Sequence, residues 1–134
     1  MAGRGEGDVT TPPHDTLAPP AIRTLDAYQF AASRTLPAPC NASELQTLRA
    51  TCGLGLAGET GELCELVKKD VGHSIPIDLD RFISEAGDVL WYLAALCELH
   101  TVSLEAVAQA NIAKLRQRYP DGFVAGGGVR EAGT

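Results

Sequence analysis

Apolar residues recur every three or four positions along four stretches of the chain, and no stretch alternates with the period of two that a strand requires. The first stretch runs from about Leu25 to Arg34 with Tyr28, Phe30 and Ala31 on its apolar side, and Pro37 and Pro39 end it. The second opens on a capping box, Ser43 followed three residues later by Gln46. It continues through Leu45, Leu48, Cys52, Leu56, Leu63, Leu66 and Val67 to about Lys69, a helix roughly 40 Å long at 1.5 Å per residue. The third begins after Pro76, with Asp78 as cap and Ile77 and Phe82 as a hydrophobic staple, and reaches Leu99. It is apolar nearly all round, the pattern of a helix with neighbours on several sides. The fourth starts at Ser103, with Val102 and Val107 at staple positions, and stops at Tyr119 before Pro120.

Four helices with short connections predict an all-α fold, a four-helix bundle core of antiparallel neighbours. With 134 residues the chain is one domain long. The helical part spans 23–120. Residues 1–22, with Pro12, Pro13, Pro19 and Pro20, and residues 121–134, with Gly126, Gly127 and Gly128, read as flexible arms. Gly53, Gly55, Gly58 and Gly61 interrupt the second helix, each at up to about 1 kcal/mol relative to Ala, so close approach of a helix or ligand is expected there.

Charge narrows the partners. Seventeen acidic residues against eleven basic give a net charge of −6 and no clustered Lys and Arg, which argues against nucleic acid. A phosphorylated small molecule stays possible when cations stand between carboxylates and phosphates. The four cysteines form no CxxC pair and no zinc cage. No apolar run suits a signal segment or membrane span, so the expected location is the cytoplasm, with reduced thiols and no membrane partner.

The chemistry lies in carboxylates. Glu59, Glu62 and Glu65 recur at i, i+3 on helix two, and Glu85 and Asp88 repeat that spacing on helix three. The bland reading of the first three is a solvated helix face. It does not explain Asp88, set within Ala86-Gly87-Asp88-Val89-Leu90-Trp91, where a lone ionised carboxylate would cost several kcal/mol unless paired or metal-bound. Two acidic pairs on facing helices place four carboxylates around one or two hard cations. Oxygen ligands without histidine favour Mg²⁺ or Mn²⁺ and disfavour a ferritin-like di-iron site. Gly53-Leu54-Gly55-Leu56-Ala57-Gly58 matches GxGxxG, but it follows a helix and no βαβ unit hosts it, so it is not a dinucleotide fingerprint.

These residues also carry a resemblance. Gly58–Leu66, GETGELCEL, resembles the GExGELxE segment of the MazG-like pyrophosphohydrolases. Glu85–Leu93, EAGDVLWYL, resembles their ExxDVLxYL, and Asn111-Ile112-Ala113-Lys114 with Arg118-Tyr119-Pro120 resembles their NxxK…RYP ending. The match covers about residues 45–123, with three motifs in the family's order. Gly87 departs from it, since many relatives carry a larger residue there. The resemblance implies the four-helix core of the all-alpha NTP pyrophosphohydrolases, assembled as a homodimer or homotetramer, with Glu59, Glu62, Glu85 and Asp88 binding Mg²⁺, for which Mn²⁺ can substitute. It implies the reaction (d)NTP + H₂O → (d)NMP + PPi, which shapes or cleanses the nucleotide pool.

Glu59 or Glu62 then serves as the catalytic carboxylate that orients or deprotonates water. On helix four Leu104, Val107, Ala108, Asn111, Leu115 and Arg118 share a stripe, which turns Asn111 inward. Lys114 and Arg118 are candidate phosphate contacts, as is Lys68, although solvated basic helix ends explain them as well. Tyr92, one turn after Asp88, is a candidate for base or sugar, whereas Trp91 reads as core. The lean in substrate is towards a purine such as dGTP, then dCTP. The rival function is a non-catalytic helical oligomerisation or regulatory module that binds structural divalent cations.

Overall fold

The computed structural model describes residues 21–123, which hold four helices and no strand. The arms expected at 1–22 and 121–134 fall outside those residues, except for 21–22 and 121–123. Helix α1 spans Leu25–Ser33, capped by Thr24, whose hydroxyl oxygen accepts the Ala27 N–H at 3.0 Å. Helix α2 spans Ala42–His73, α3 Leu79–Leu99 and α4 Leu104–Arg118. Asp78 and Ser103 cap α3 and α4, as the sequence indicates.

The long helix differs at both ends. Its cap is Asn41, not Ser43. The Asn41 side chain accepts the Glu44 N–H at 2.9 Å while Glu44 accepts the Cys40 N–H at 2.8 Å. This box satisfies two orphan donors two residues earlier than a Ser43–Gln46 box would. At the other end α2 passes Lys69 by a turn and stops where Ser74 turns left-handed (φ 56°). There the Ser74 N–H returns to the Asp70 carbonyl at 3.1 Å, the bond of an αL closure, and the Ile75 N–H reaches the Lys69 carbonyl at 3.2 Å.

Helix α3 is the centre of the molecule, with α2 on one side and α1 on the other. Cys52 of α2 packs on Ala95 and Leu99, with Leu45, Leu48, Trp91 and Tyr92 around them. On the opposite side Ala94, Cys97 and Leu104 meet Leu25, Tyr28 and Leu90. Gln29 fastens α1 here: its amide donates to Glu98 (2.9 Å) and the Val102 carbonyl (3.1 Å), and its oxygen accepts the Leu104 N–H (2.7 Å). Every hydrogen-bonding arm of this buried side chain has a partner, so its burial carries no orphan penalty.

Helix α4 packs mainly on α1. Its stripe is covered only at the start: Leu104 is buried, but Val107 and Leu115 are 40% and 39% exposed, and Ile112 beside them 48%. Asn111, expected to point inward, is exposed, because no further helix among the described residues lies over that part of α4. Apolar side chains at the α2–α3 turn are open too, Val71 by 80% and Leu79 by 70%.

Candidate functional site

The carboxylate site follows from the register of α2 against α3. The helices run antiparallel. Arg49 donates to the Leu99 carbonyl at 2.6 and 3.1 Å, Cys52 meets Ala95, and the backbone of Gly55 lies against the Tyr92 ring. One more turn along α2 brings Glu59, and one more turn back along α3 brings Asp88 and then Glu85. Glu59 thus continues the stripe Leu45, Leu48, Cys52, Gly55, a position where an apolar residue is the rule, and this explains its half-burial. Oxygens of Glu59, Glu85 and Asp88 all lie within 4.8 Å of one another.

Three carboxylates so close repel one another. Partial burial, then the charges of Glu62, Asp88 and Glu85, hold the Glu59 carboxyl above the usual carboxylate range. Among the described residues only one cation touches the three: Arg81, whose Nε donates to Glu85 Oε1 at 3.2 Å. The donor set suits a small hard cation. An octahedron with metal–oxygen bonds of about 2.1 Å has edges of about 3 Å and diagonals of about 4 Å, and oxygens within 4.8 Å of one another stand close to that spacing.

Other expected residues stand differently. Glu62 is exposed and outside the group of three, yet near enough for its charge to act on Glu59. Asp88, expected in a greasy interior, is exposed, because this side of the α2–α3 seam is open in the single chain. Tyr92 is half-buried in the core: its ring lies across Gly55 and stands edge-on to Trp91 at 4.9 Å. Trp91, read as core, packs there as well and donates from Nε1 to the Thr35 hydroxyl at 2.8 Å. Lys68 is held by Glu65, which Lys69 also approaches at 3.6 Å, and the Lys68 hydrogen bond pulls the Glu65 carboxyl below its ordinary value. Asn111, Lys114 and Arg118 lie exposed on α4, and Arg118 rests over its neighbour Tyr119.

Tyr28 of α1 was visible in the sequence only as an apolar helix position. Burial, then the negative charge of Asp88, holds its phenol above the usual value, so α1 carries a hydroxyl into the field of the carboxylates. A cleft of about 550 Å³ between the start of α1 and α4, bordered by Arg23, Ile112 and Arg116, does not include the carboxylates. Neither does a hollow of about 310 Å³ between Pro37–Pro39 and α2. Among the described residues no helix is long and apolar enough to cross a membrane.

Residues 47–123 match the family described as the MazG nucleotide pyrophosphohydrolase domain, more than half of the chain and the span that contains Glu59, Glu62, Glu85 and Asp88. The chain belongs to the MazG family. The all-α architecture of the described residues agrees with that membership. Among curated proteins it resembles the gene 37 protein of Mycobacterium phage L5, 36% identical over 110 residues, which cover 78% of this chain and 96% of that protein. No solved structure matches. The family reacts with nucleotides and depends on divalent metal, and the three convergent carboxylates of this MazG chain are residues able to hold such an ion.

Proposed function

We propose that this MazG-family chain is a divalent-cation-dependent pyrophosphohydrolase that converts (d)NTP and water to (d)NMP and pyrophosphate. The convergence of Glu59, Glu85 and Asp88 at the α2–α3 seam carries the reading. Those three, with Glu62 beside them, are the proposed ligands for Mg²⁺, which Mn²⁺ replaces. A cation of this kind, held there, would supply charge neutralisation for an in-line displacement at phosphorus. The chain supplies the rest. A carboxylate, Glu62 or Glu59, orients water towards the α-phosphorus and takes its proton as the new P–O bond forms and the bond to the β-phosphate oxygen breaks. Pyrophosphate leaves. Glu62 is the better placed of the two, being adjacent to the group without belonging to it.

The basic contacts fit an assembly. Lys114 and Arg118 lie on a helix that leans on α1, and its open apolar side chains invite a second copy, so a homodimer or homotetramer is proposed, with Lys114, Arg118 and Asn111 delivered to triphosphate across an interface. Lys68 and Tyr92 are the weaker candidates, one engaged by Glu65 and the other packed in the core. The proposed location is cytoplasmic, and the lean towards dGTP stands as a proposal.

Pyrophosphate release over a panel of NTPs and dNTPs, with Mg²⁺ and with Mn²⁺, tests the reading and names the base. Turnover lost in Glu62→Gln with helicity intact supports it. Failure of every nucleotide with both cations would overturn it in favour of a module whose carboxylates hold only structural cations.

A further inference from the structure

Arg81 stands in the third position of α3, where neither helix electrostatics nor pairing favours it. A cation in the first turn opposes the helix dipole, and an arginine four residues ahead of its glutamate is the weaker order of an i, i+4 pair. Yet its Nε donates to Glu85 Oε1 at 3.2 Å, and Glu85 belongs to the carboxylate group. Of the Lys and Arg residues on α2 and α3, Arg49 is spent on the Leu99 carbonyl at the far end of the seam, and Lys68 and Lys69 are held by Glu65. Arg81 alone touches the group. Its two Nη groups have no hydrogen-bond partner among the described residues, and its side chain is half exposed.

We propose that Arg81 binds a phosphate of the triphosphate at the carboxylate site, anchored through Nε on Glu85 with its Nη fork presented to phosphate oxygens. The inference rests on the pyrophosphohydrolase reading and names a contact within it. A carboxylate has two oxygens and several lone pairs, so Glu85 can ligate a cation and still accept from Arg81. The planar guanidinium supplies two parallel donors to one phosphate, which an ammonium does not. The chain then offers a phosphate contact in cis, beside the metal ligands, whatever an interface adds.

The test is calorimetric binding to the full chain, first of Mn²⁺ alone, then of inorganic pyrophosphate and tripolyphosphate to the Mn²⁺-saturated protein. Arg81→Gln is expected to weaken both polyphosphates by about ten-fold or more, the loss of one charge-assisted contact, while Mn²⁺ affinity stays within about two-fold of wild type. Arg81→Lys should recover only part of the loss. Reduced Mn²⁺ affinity with unchanged polyphosphate affinity would show that Arg81 merely orients Glu85 and would overturn the proposal. So would no change in either, or a wild-type protein that binds no polyphosphate. Pyrophosphate release from nucleotides is a separate readout: wild type that binds polyphosphate through Arg81 but turns over no nucleotide sinks the enzymatic reading and leaves this contact standing.

Discussion

Replacing Gly55 by Ala tests the register that builds the site. A Cβ placed on Gly55 would lie 2.3 Å from Cε1, 2.4 Å from Cζ and 2.8 Å from the hydroxyl of Tyr92. Carbon atoms prefer about 3.5–4.0 Å, so ring or helix must give by more than an ångström. The ring has little freedom, since Trp91 stands edge-on to it at 4.9 Å and Cys52, Ala95 and Leu99 pack around it. Overpacking of this kind costs about 1–3 kcal/mol, against about 1 kcal/mol regained by Ala over Gly in a helix. Gly58 lies one turn on in the same helix, with nothing within 4 Å of its would-be Cβ, so Gly58→Ala should only gain. Because both variants share the helix gain, the difference between them isolates the clash. It should be about 1–3 kcal/mol, or at least about 4 °C in Tm for a domain of roughly 100 residues. Thermal and urea unfolding followed by helical circular dichroism measures it, at one fixed protein concentration because association couples to stability. Tyr92→Leu in the Gly55→Ala background should restore most of the loss. Equal stability of Gly55→Ala and Gly58→Ala would mean that Gly55 does not face Tyr92, and the placement of Glu59 opposite Asp88 would go with it.

Metal binding should show in stability: Mn²⁺ at a hundred-fold excess over its Kd adds about 2.7 kcal/mol, and a Tm that does not rise in wild type, or rises equally in Asp88→Asn, would sink the ligand assignment. The raised Glu59 carboxyl predicts a pH effect in chelator. The fold binds this proton more tightly than the unfolded chain, so stability falls as pH rises from the ordinary glutamate value through the raised one, and the penalty is fully present above it. Glu59→Gln should flatten that stretch of a Tm-against-pH curve, and an unchanged slope would refute the cause given. On α4, Ile112→Glu is expected to shift the chain towards monomer in size-exclusion chromatography with helicity retained, and an unaltered elution volume would show that this face is not the interface.

The fold was legible because its signals are local. Caps at Asp78 and Ser103 and the apolar stripes of α2 and α3 each act within one turn or one face. The Ser43 cap was misread because Asn41 and Glu44 spell an equally good box two residues upstream, and only the Cys40 N–H, which Glu44 satisfies, separates them. The carboxylates were legible for a different reason: charge at stripe positions contradicts the pattern around it, and Glu59 is such a contradiction. Glu62 continues the same three-four spacing towards Leu66 yet is exposed and outside the close group, a difference that spacing alone does not reveal. Asn111 was placed inward from periodicity alone, and periodicity says that a face is to be covered without saying by which chain. What Tyr28 and Arg81 do beside the carboxylates was not legible. Tyr28 reaches the field of Asp88 through the packing of α1 on α3, and the role of Arg81 depends on which carboxylate it meets.

The same distinction bears on how the site works. Three carboxylates with one arginine leave the seam with surplus negative charge, and a triphosphate brings more. Nothing on α2 or α3 beyond Arg81 offsets it, since Lys68 and Lys69 are committed to Glu65. The proposed site would therefore attract cations first and phosphate only once they are bound, so nucleotide affinity should vanish with the metal while metal affinity should survive without the nucleotide. That order is also economical for an acidic chain: the long-range field that repels free anions draws divalent ions to the open side of the seam. An α4 supplied by a second copy would then close the seam with Lys114 and Arg118 after the metal had already offset the local charge.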